Sequence, residues 1–445
     1  MKLAVVGTGY VGLVSGVCFS ELGHDVICVD QLESKIEQLQ QGKSPIYEPA
    51  LDELIQKNIQ EGRLKFTTRL SEAVQASDVI VLAVGTPSLP DGRANLNYIE
   101  QAAKEVGEAL NSFKIIVIKS TVPVGTNERV HEIVSENTMY PFEMASVPEF
   151  LREGTAVSDT FNPDRIIIGT SGEVAKNVLV ELHKPLTEKI MITDIRSAEM
   201  IKYASNAFLA TKISFINEIA NICEKVGADV TQVALGMGQD KRIGGSFLKA
   251  GIGFGGSCLP KDTQALIQIA GQMDYDFKLL KSVVEVNHNQ RFNIITKLES
   301  KLMDLSNKTI ALWGLAFKPE TDDVRDSPAF EIIQELLKRG AVVRAYDPIA
   351  VDNFKRHYKF EGVNYTDSPE ESAKEADALC ILTDWKEFRD ISPKLILSWL
   401  TSPILIDGRN IYSDEEIINT ELHYDSIGRP NLIKGNKEQK SMLLL

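Results

Sequence analysis

The amino-acid sequence predicts an α/β protein in which two doubly wound domains, each with a parallel sheet, are joined by a long central helix. Short apolar runs alternate with helical segments in the first part of the chain, which is typical of parallel strands buried on both faces. The same alternation starts again near residue 308. Between the two parts, residues 197–226 contain neither glycine nor proline and predict one continuous helix.

The first doubly wound domain is predicted over residues 1–196. A helix is expected over 11–22, directly after the first strand. The predicted strands are 3–7, 24–30, 78–85, 114–119 and 165–169. The central helix opens a helical, dimerising domain over 197–300, although its apolar pattern also fits one large core helix.

The second doubly wound domain is predicted over residues 301–434. Its helix is expected over 328–339, and its turn after the first strand lacks the second and third glycines of a dinucleotide turn. The predicted strands are 308–314, 341–346, 378–382 and 403–407. The polar tail over 435–445 is expected to be disordered.

The composition is that of a globular protein without a membrane segment. No apolar run is long enough to span a bilayer, and the apolar start is too short for a signal peptide. The net charge of −14 disfavours nucleic acid as a partner, because phosphate backbones attract basic surfaces. The 5 cysteines are scattered and form no C-x-x-C pair, which indicates a reducing cytoplasm and no structural zinc site. We therefore expect a cytoplasmic protein that binds no metal.

A glycine-rich turn, residues 7–12 (GTGYVG), follows the first predicted strand. Gly7 permits the tight turn, Gly9 lets a pyrophosphate approach the backbone, and Gly12 lets the helix pack closely on the strand. The next strand ends at Asp30, whose carboxylate accepts hydrogen bonds from ribose hydroxyls and repels a 2′-phosphate. The sequence therefore predicts a Rossmann-like site for NAD rather than NADP.

A second glycine-rich segment, residues 251–262 (GIGFGGSCLPKD), contains Cys258 followed by Lys261 and Asp262. The glycines leave the backbone open to a ligand, and the residues after the cysteine predict a helix start. A thiol near a helix N-terminus and a lysine loses its proton more easily, so Cys258 is predicted to be a nucleophile. In an NAD enzyme, covalent sulfur is useful when an aldehyde must be carried to an acid through a thiohemiacetal and a thioester.

Such chemistry also needs an oxyanion stabiliser and an activated water. Two pairs of polar residues have i, i+4 spacing: Lys202 with Asn206, and Glu149 with Glu153. Lys202 and Asn206 share one face of the predicted central helix, where a solvated face is the alternative interpretation. Ser120 and Thr121 follow a predicted strand at the carboxyl edge of the sheet, where ligands of open α/β sheets bind.

Taken together, these segments resemble the UDP-glucose/GDP-mannose dehydrogenase family along nearly the whole chain. The matching motifs are 7–12, 120–125 (STVPVG), 148–154 (PEFLREG), 202–206 (KYASN), 253–262, and Phe317 and Lys318 through Arg325. The resemblance implies oxidation of a nucleotide sugar at C6, from alcohol to carboxylate, without release of the aldehyde. NAD would serve as a co-substrate, with two consumed per turnover.

The resemblance also implies a role for each matching residue. The catalytic residues would be Cys258 as nucleophile, Lys202 and Asn206 on the oxyanion, and Asp262, Glu149 and Thr121 in water activation and acid–base steps. The residues expected to bind NAD are Gly7, Gly9, Tyr10, Val11, Gly12, Asp30, Lys35, Thr86, Ser120, Thr121, Glu153 and Arg325. Those expected to bind the nucleotide sugar are Glu149, Phe150, Leu151, Lys202, Asn206, Arg242, Phe247, Leu248, Lys249, Gly255, Phe317, Lys318 and Arg409.

The choice of sugar is indicated by the segment before the glycine loop. Residues 242–251 resemble the UDP-glucose branch of the family, and Ser257 stands where the UDP-N-acetylmannosamine branch has histidine. GDP-mannose or another nucleotide sugar is the alternative substrate. The alternative functions are a two-electron dehydrogenase of the hydroxy-acid type and a non-catalytic NAD sensor. Because the resemblance places Arg242 at the substrate of a neighbouring subunit, we expect a homodimer or a higher homo-oligomer.

Overall fold

The computed structural model describes residues 1–430, so the predicted tail over 435–445 lies outside the described residues. The chain forms two compact units. The first unit consists of Met1–Asn206 and Gln264–Tyr275, and the second consists of Ala207–Thr263 and the chain from Asp276 onward.

The first unit is built on an eight-stranded sheet. Its strands are β1 (Lys2–Val6), β2 (Asp25–Val29), β3 (Leu64–Thr67), β4 (Val79–Leu82), β5 (Lys114–Ile118), β6 (Phe142–Ser146), β7 (Ile166–Thr170) and β8 (Ile190–Thr193). They lie in the order β3-β2-β1-β4-β5-β6-β7-β8, and every neighbouring pair is parallel except β6 with β7. The order reverses between β1 and β4, which is the position where doubly wound sheets bind ligands.

Helices cover both faces of this sheet because its central strands are apolar on both sides. The helices of the first part of the chain are α1 (Tyr10–Glu21), α2 (Glu33–Gln40), α3 (Leu51–Gln60), α4 (Leu70–Ala76), α5 (Asn97–Ala109), α6 (Thr126–Glu136), α7 (Ala156–Phe161) and α8 (Glu173–His183). The chain passes from the first unit into the second within α9 (Ile195–Val226), which has 32 residues and confirms the predicted long helix.

The second unit contains a six-stranded, fully parallel sheet. Its strands are β9 (Thr309–Trp313), β10 (Val342–Tyr346), β11 (Val363–Tyr365), β12 (Ala378–Ile381), β13 (Ile404–Asp407) and β14 (His423–Ser426). They lie in the order β11-β10-β9-β12-β13-β14, so the order of the first six strands of the first sheet is repeated. The predicted class of two doubly wound domains and a long central helix is confirmed.

The remaining helices complete the two units. They are α10 (Val230–Gly238), α11 (Leu259–Gln272), α12 (Lys278–Gln290), α13 (Asn293–Leu302), α14 (Pro328–Lys338), α15 (Val351–His357), α16 (Pro369–Ala373), α17 (Lys386–Asp390), α18 (Pro393–Trp399) and α19 (Asp414–Ile418). Among residues 1–430, no helix combines the length and the apolar character needed to span a membrane.

Candidate active site

The glycine turn of the first unit has the backbone that a dinucleotide requires. Gly7 has φ +98°, and a Cβ there would lie 2.8 Å from the carbonyl oxygen of Ala83. A Cβ on Gly9 would meet nothing within 4 Å, so the space above that residue is open. Gly9 is the N-cap of α1 and no side chain caps it, which leaves N–H groups at the helix N-terminus for phosphate oxygens. The turn therefore fits a pyrophosphate.

Asp30 directly follows β2 and is held by three residues. One of its carboxylate oxygens accepts hydrogen bonds from Thr8 Oγ1 at 2.6 Å and from Lys35 Nζ at 2.9 Å, and the other accepts from Leu32 N at 3.1 Å. Burial alone would raise the pKa of Asp30, but the hydrogen bonds of Thr8, Lys35 and Leu32 outweigh it and bring the pKa to about 2. The group is thus a fixed carboxylate, as a ribose-binding residue must be.

Three other residues predicted to contact NAD form hydrogen bonds at the carboxyl ends of β4 and β5. Ser120 Oγ donates to the carbonyl of Val84 at 2.7 Å, and Thr86 Oγ1 donates to the carbonyl of Thr121 at 2.8 Å. Ser120 and Thr86 are both buried. The structure therefore brings Thr86, Ser120 and Thr121 together at the carboxyl edge of the sheet, next to the position between β1 and β4 where the strand order reverses.

Lys202 and Glu149 form a buried ion pair. Lys202 Nζ lies 3.0 Å from Glu149 Oε1, and both side chains are 4% exposed. Burial raises the pKa of Glu149, but the charge and hydrogen bond of Lys202 outweigh burial and hold it below its usual value. Asn206, one turn further along α9, is also buried, so the alternative of a solvated helix face is wrong for both Lys202 and Asn206.

The spacing of Glu149 and Glu153 does not reflect a helix. Both residues lie in the irregular segment between β6 and α7, so they do not share a helix face. Instead, Glu149 accepts a hydrogen bond from Leu151 N at 2.6 Å, and the guanidinium of Arg165 lies 3.7 Å from the centre of the Phe150 ring. In this irregular segment a backbone N–H group uses a side-chain acceptor, because no helical carbonyl is available to it.

Glu48 was not found from the sequence, yet it organises this segment. Its carboxylate accepts a very short hydrogen bond from the Tyr10 hydroxyl and a further one, 2.7 Å long, from Gly154 N. The Tyr10 hydroxyl also accepts from Gly154 N at 2.8 Å. Burial and the bond to Glu48 raise the pKa of Tyr10, so the phenol remains protonated. No spacing in the sequence connects Glu48 to residues so far away along the chain.

Cys258 lies at the start of α11 in the second unit. The carbonyl of Cys258 accepts a hydrogen bond from Asp262 N at 2.8 Å, which makes Cys258 the N-cap residue of that helix and confirms the predicted helix start. It is partly exposed, whereas Cys18, Cys28, Cys223 and Cys380 are buried as predicted. Asp262 is 1% exposed and pairs with Lys261. A thiol at a helix N-terminus is in the environment that stabilises a thiolate.

Residues predicted to bind the nucleotide sugar surround the glycine loop within the second unit. A Cβ on Gly255 would lie 3.1 Å from Phe317 Cβ, and Lys318 Nζ lies 5.4 Å from the centre of the Phe317 ring. Arg409 donates to the carbonyl oxygens of Gly253 at 3.2 Å and Phe317 at 3.3 Å. Burial lowers the pKa of Arg409. A cationic, aromatic edge of this kind suits a nucleoside diphosphate.

Lys249 forms an ion pair with Asp384 at 2.7 Å. Of the two residues before it, Leu248 is buried and Phe247 has φ +64°. Asp384 was not identified from the sequence. Arg242 pairs with Asp240 at 2.6 Å, and its side chain is 88% exposed.

Arg325 pairs with Asp323 at 2.8 Å, and its carbonyl accepts from Gly256 N at 2.8 Å.

Within residues 1–430, no group of three or more His, Cys, Asp or Glu side chains is placed to hold a metal ion.

The chain matches three models of the UDP-glucose/GDP-mannose dehydrogenase family. They are its NAD binding domain over residues 1–187, its central domain over 196–289 and its UDP binding domain over 311–414. Two similar proteins are named UDP-glucose 6-dehydrogenase, YwqF and TuaD, both from Bacillus subtilis (strain 168). YwqF is 51% identical over 97% of this chain and 99% of its own length, and TuaD is 52% identical over 96% and 93%. The structure of a UDP-glucose dehydrogenase from Pyrobaculum islandicum superposes with a TM-score of 0.90 at 39% identity, covering 96% of this chain and 97% of that one.

Proposed function

This chain belongs to the UDP-glucose/GDP-mannose dehydrogenase family, and we propose that it oxidises UDP-glucose to UDP-glucuronate with two equivalents of NAD. The observation that carries the proposal is Cys258 at the N-terminus of α11, directly after the glycine loop. A two-electron dehydrogenase needs only a base and a hydride acceptor, whereas a nucleophilic thiol serves the further oxidation of an aldehyde. The relatives named above support UDP-glucose as the sugar.

NAD would be held by the turn at Gly7 and Gly9 and by Asp30, and when bound it accepts a hydride in each of the two oxidations. The C6 alcohol first loses a hydride and a proton and becomes an aldehyde. The thiolate of Cys258 then adds to the aldehyde carbon, forming a C–S bond. Loss of the second hydride from this thiohemiacetal gives a thioester, and water breaks the C–S bond, which returns the thiolate and releases the carboxylate.

Lys202 and Asn206 are proposed to stabilise the oxyanion of each tetrahedral species. The ammonium of Lys202 is fixed by Glu149 in a buried setting, where a donor acts more strongly on developing charge than it does in water. Because Lys202 holds Glu149 ionised, Glu149 has no proton to supply in the resting enzyme and can act only as an acceptor, and its lowered pKa makes it a weak one. The buried carboxylate of Asp262 and the hydroxyl of Thr121 are the other candidates for water activation.

The stoichiometry of NAD reduction tests the proposed function. With limiting UDP-glucose and excess NAD, we expect two NADH per sugar and an acid product. One NADH per sugar would instead support a two-electron dehydrogenase. Activity with GDP-mannose and none with UDP-glucose would overturn the substrate assignment.

The role of Cys258 is tested by replacement with serine. An alkoxide is a poorer leaving group than a thiolate, so Cys258→Ser should slow hydrolysis strongly and allow a covalent ester to accumulate. Intact-mass spectrometry after mixing with UDP-glucose and NAD measures that ester. Turnover close to that of the wild type would rule out the nucleophile. Cys223→Ser, at a buried cysteine of the same unit, is the matched control.

We also propose that the protein is a homodimer joined along α9. Phe208, Phe215 and Ile222 are 66%, 48% and 53% exposed, and their seven-residue spacing places them on one face of the helix. Three large apolar side chains in one exposed row are typical of an interface between subunits. The exposed Arg242 is then available to a neighbouring subunit. Light scattering should give twice the chain mass, and Phe215→Asp should give monomers, whereas the exposed-site control Lys176→Asp should not.

The cellular compartment is proposed from the thiols. Cys18, Cys28, Cys223 and Cys380 are buried as thiols, and the proposed nucleophile works as a thiolate. Both features fit a reducing compartment, and we infer a cytoplasmic location.

A further inference from the structure

The glycine loop before Cys258 is buried but belongs to no strand or helix. Residues 251–256 all lie in the interior of the second unit. Their backbone N–H and C=O groups cannot use a ladder of sheet hydrogen bonds, and they cannot be left without partners away from water. Several of these partners are buried polar side chains: Asn217, Asn287, Gln290 and Arg291.

Asn287 binds both polar groups of one peptide residue in the loop. Its Oδ1 accepts from Phe254 N at 2.7 Å, and its Nδ2 donates to the Phe254 carbonyl at 3.0 Å. A single amide thus provides the two hydrogen bonds that a neighbouring strand would otherwise supply. Asn287 is 5% exposed, so water does not compete for these bonds.

The other side chains extend this contact along the loop. Gln290 Nε2 donates to the Gly251 carbonyl at 2.9 Å, and Arg291 Nη2 donates to the Phe254 carbonyl at 3.1 Å. Asn287, Gln290 and Arg291 are spaced i, i+3 and i+4, so they lie on one face at the end of α12. Asn217 of α9 accepts from Gly251 N at 2.9 Å.

The glycine at position 253 is required by the same contact. Gly253 has φ +92°, and a Cβ there would lie 2.8 Å from Asn287 Oδ1 and 3.0 Å from the Asn287 carbonyl oxygen. The loop backbone therefore lies directly against α12, with no side chain between them. This arrangement fixes the path of the chain that leads from Phe254 to Cys258.

We propose that Asn287 is a positioning residue for Cys258: its amide clamps the Phe254 peptide to α12 and so holds the thiol at the N-terminus of α11. The proposal rests on the proposed function, which makes Cys258 the nucleophile. Asn287 does not touch the reacting atoms in this account, and its effect passes through the loop backbone. A nucleophile displaced by about 1 Å loses about 100-fold in rate.

The test compares Asn287→Leu, which has a similar volume but no polar atoms, with Asn289→Leu on the exposed face of the same helix. We expect Asn287→Leu to lower kcat about 10- to 100-fold and to change KM for NAD much less, because the glycine turn and Asp30 lie in the first unit. Asn289→Leu should keep the wild-type kcat. A kcat of Asn287→Leu within twofold of the wild type would overturn the proposal.

A second measurement separates positioning from a loss of folded protein and does not need the substrate. The rate of Cys258 alkylation by iodoacetamide is followed against pH by peptide mass spectrometry. We expect the midpoint of this profile to move to higher pH in Asn287→Leu and to stay unchanged in Asn289→Leu. If Asn287→Leu does not fold, Asn287→Asp, which keeps the acceptor for Phe254 N, replaces it. An unchanged midpoint in the folded variant overturns the proposal even if the wild type fails to reduce NAD with UDP-glucose.

Discussion

Removal of one partner of the buried Lys202–Glu149 pair is expected to destabilise the first unit strongly. Both side chains are 4% exposed, and the charged atoms are 3.0 Å apart. A buried charge left without its partner costs about 3–5 kcal/mol, whereas an exposed pair contributes about 0–1 kcal/mol. Lys202→Met should therefore lower the free energy of unfolding by about 3–5 kcal/mol. The control, Lys176→Met, breaks the exposed pair with Glu173 and should cost less than about 1 kcal/mol.

The same variant should reverse the pH dependence that Glu149 contributes. In the wild type the folded pKa of Glu149 is lowered, so its stabilisation is present above the unfolded pKa and is lost as pH falls through the folded value. Burial is the largest single effect on this carboxyl, and without Lys202 only the hydrogen bond of Leu151 N and the charge of Lys119 oppose it, so we expect the folded pKa of Glu149 to rise above its usual value. The stability contributed by the protonated acid is then complete below the unfolded pKa and is lost as pH rises through the folded one.

Urea unfolding at several pH values, followed by circular dichroism, measures both effects. The 3 tryptophans all lie in the second unit, so their fluorescence reports that unit separately. Replacing both partners, Lys202→Met with Glu149→Gln, removes both charges of the pair and should cost less than the sum of the two single replacements. A cost below about 1 kcal/mol for Lys202→Met, or additive single effects, would refute the reasoning.

Three further predictions concern other parts of the molecule. Asp30→Ser should raise KM for NAD about tenfold or more, with kcat nearly unchanged, because charge-assisted hydrogen bonds contribute about 1.5–3 kcal/mol. Steady-state kinetics with NAD and with NADP measure this change. An unchanged preference for NAD over NADP would contradict the prediction. Gly256→Ala should lower the melting temperature, because Gly256 has φ +86° and a Cβ would lie 2.7 Å from the Phe317 ring. The double variant Gly256→Ala with Phe317→Leu should regain part of that loss. A double variant that regains nothing would exclude the clash with Phe317. Burial lowers the pKa of His183 to about 4, so as pH falls the unfolded chain takes up the proton before the folded one does, and stability decreases from about pH 6.5 toward pH 4. His183→Gln should flatten this decrease when unfolding is measured at several acidic pH values. An unchanged slope of stability against pH would refute the assignment.

The strands that could be predicted are those with a continuous apolar run. β4 and β5 are buried along their whole length, so their sequences carry the signal of a parallel sheet covered on both faces. β3 and β8 were missed because they lie at the edges of the sheet, where β3 buries only alternate residues and β8 buries none. β6 was missed because polar residues interrupt its run, and its antiparallel pairing with β7 has no local sequence signal.

The site residues that could be predicted are those inside short motifs. Cys258, Asp30 and the glycine turn are recognisable because their chemistry depends on neighbours within a few residues. Glu48 and Asn287 act on backbone groups far away along the chain, so no spacing relates them to their partners. Only a folded chain shows that a buried amide or carboxylate replaces a missing backbone partner.

The strand order of the first sheet has a consequence for synthesis. β1 is made before the other strands of this sheet, yet it lies in the interior of the sheet, between β2 and β4. At about 5–20 residues per second, the chain needs several seconds after β1 before β4 is available. The first unit also includes Gln264–Tyr275, so it cannot be complete until the chain has been made as far as Tyr275. During this interval β1 can pair with β2 along one edge only, so the nascent chain exposes the other edge of an apolar strand, where pairing with a second chain leads to aggregation.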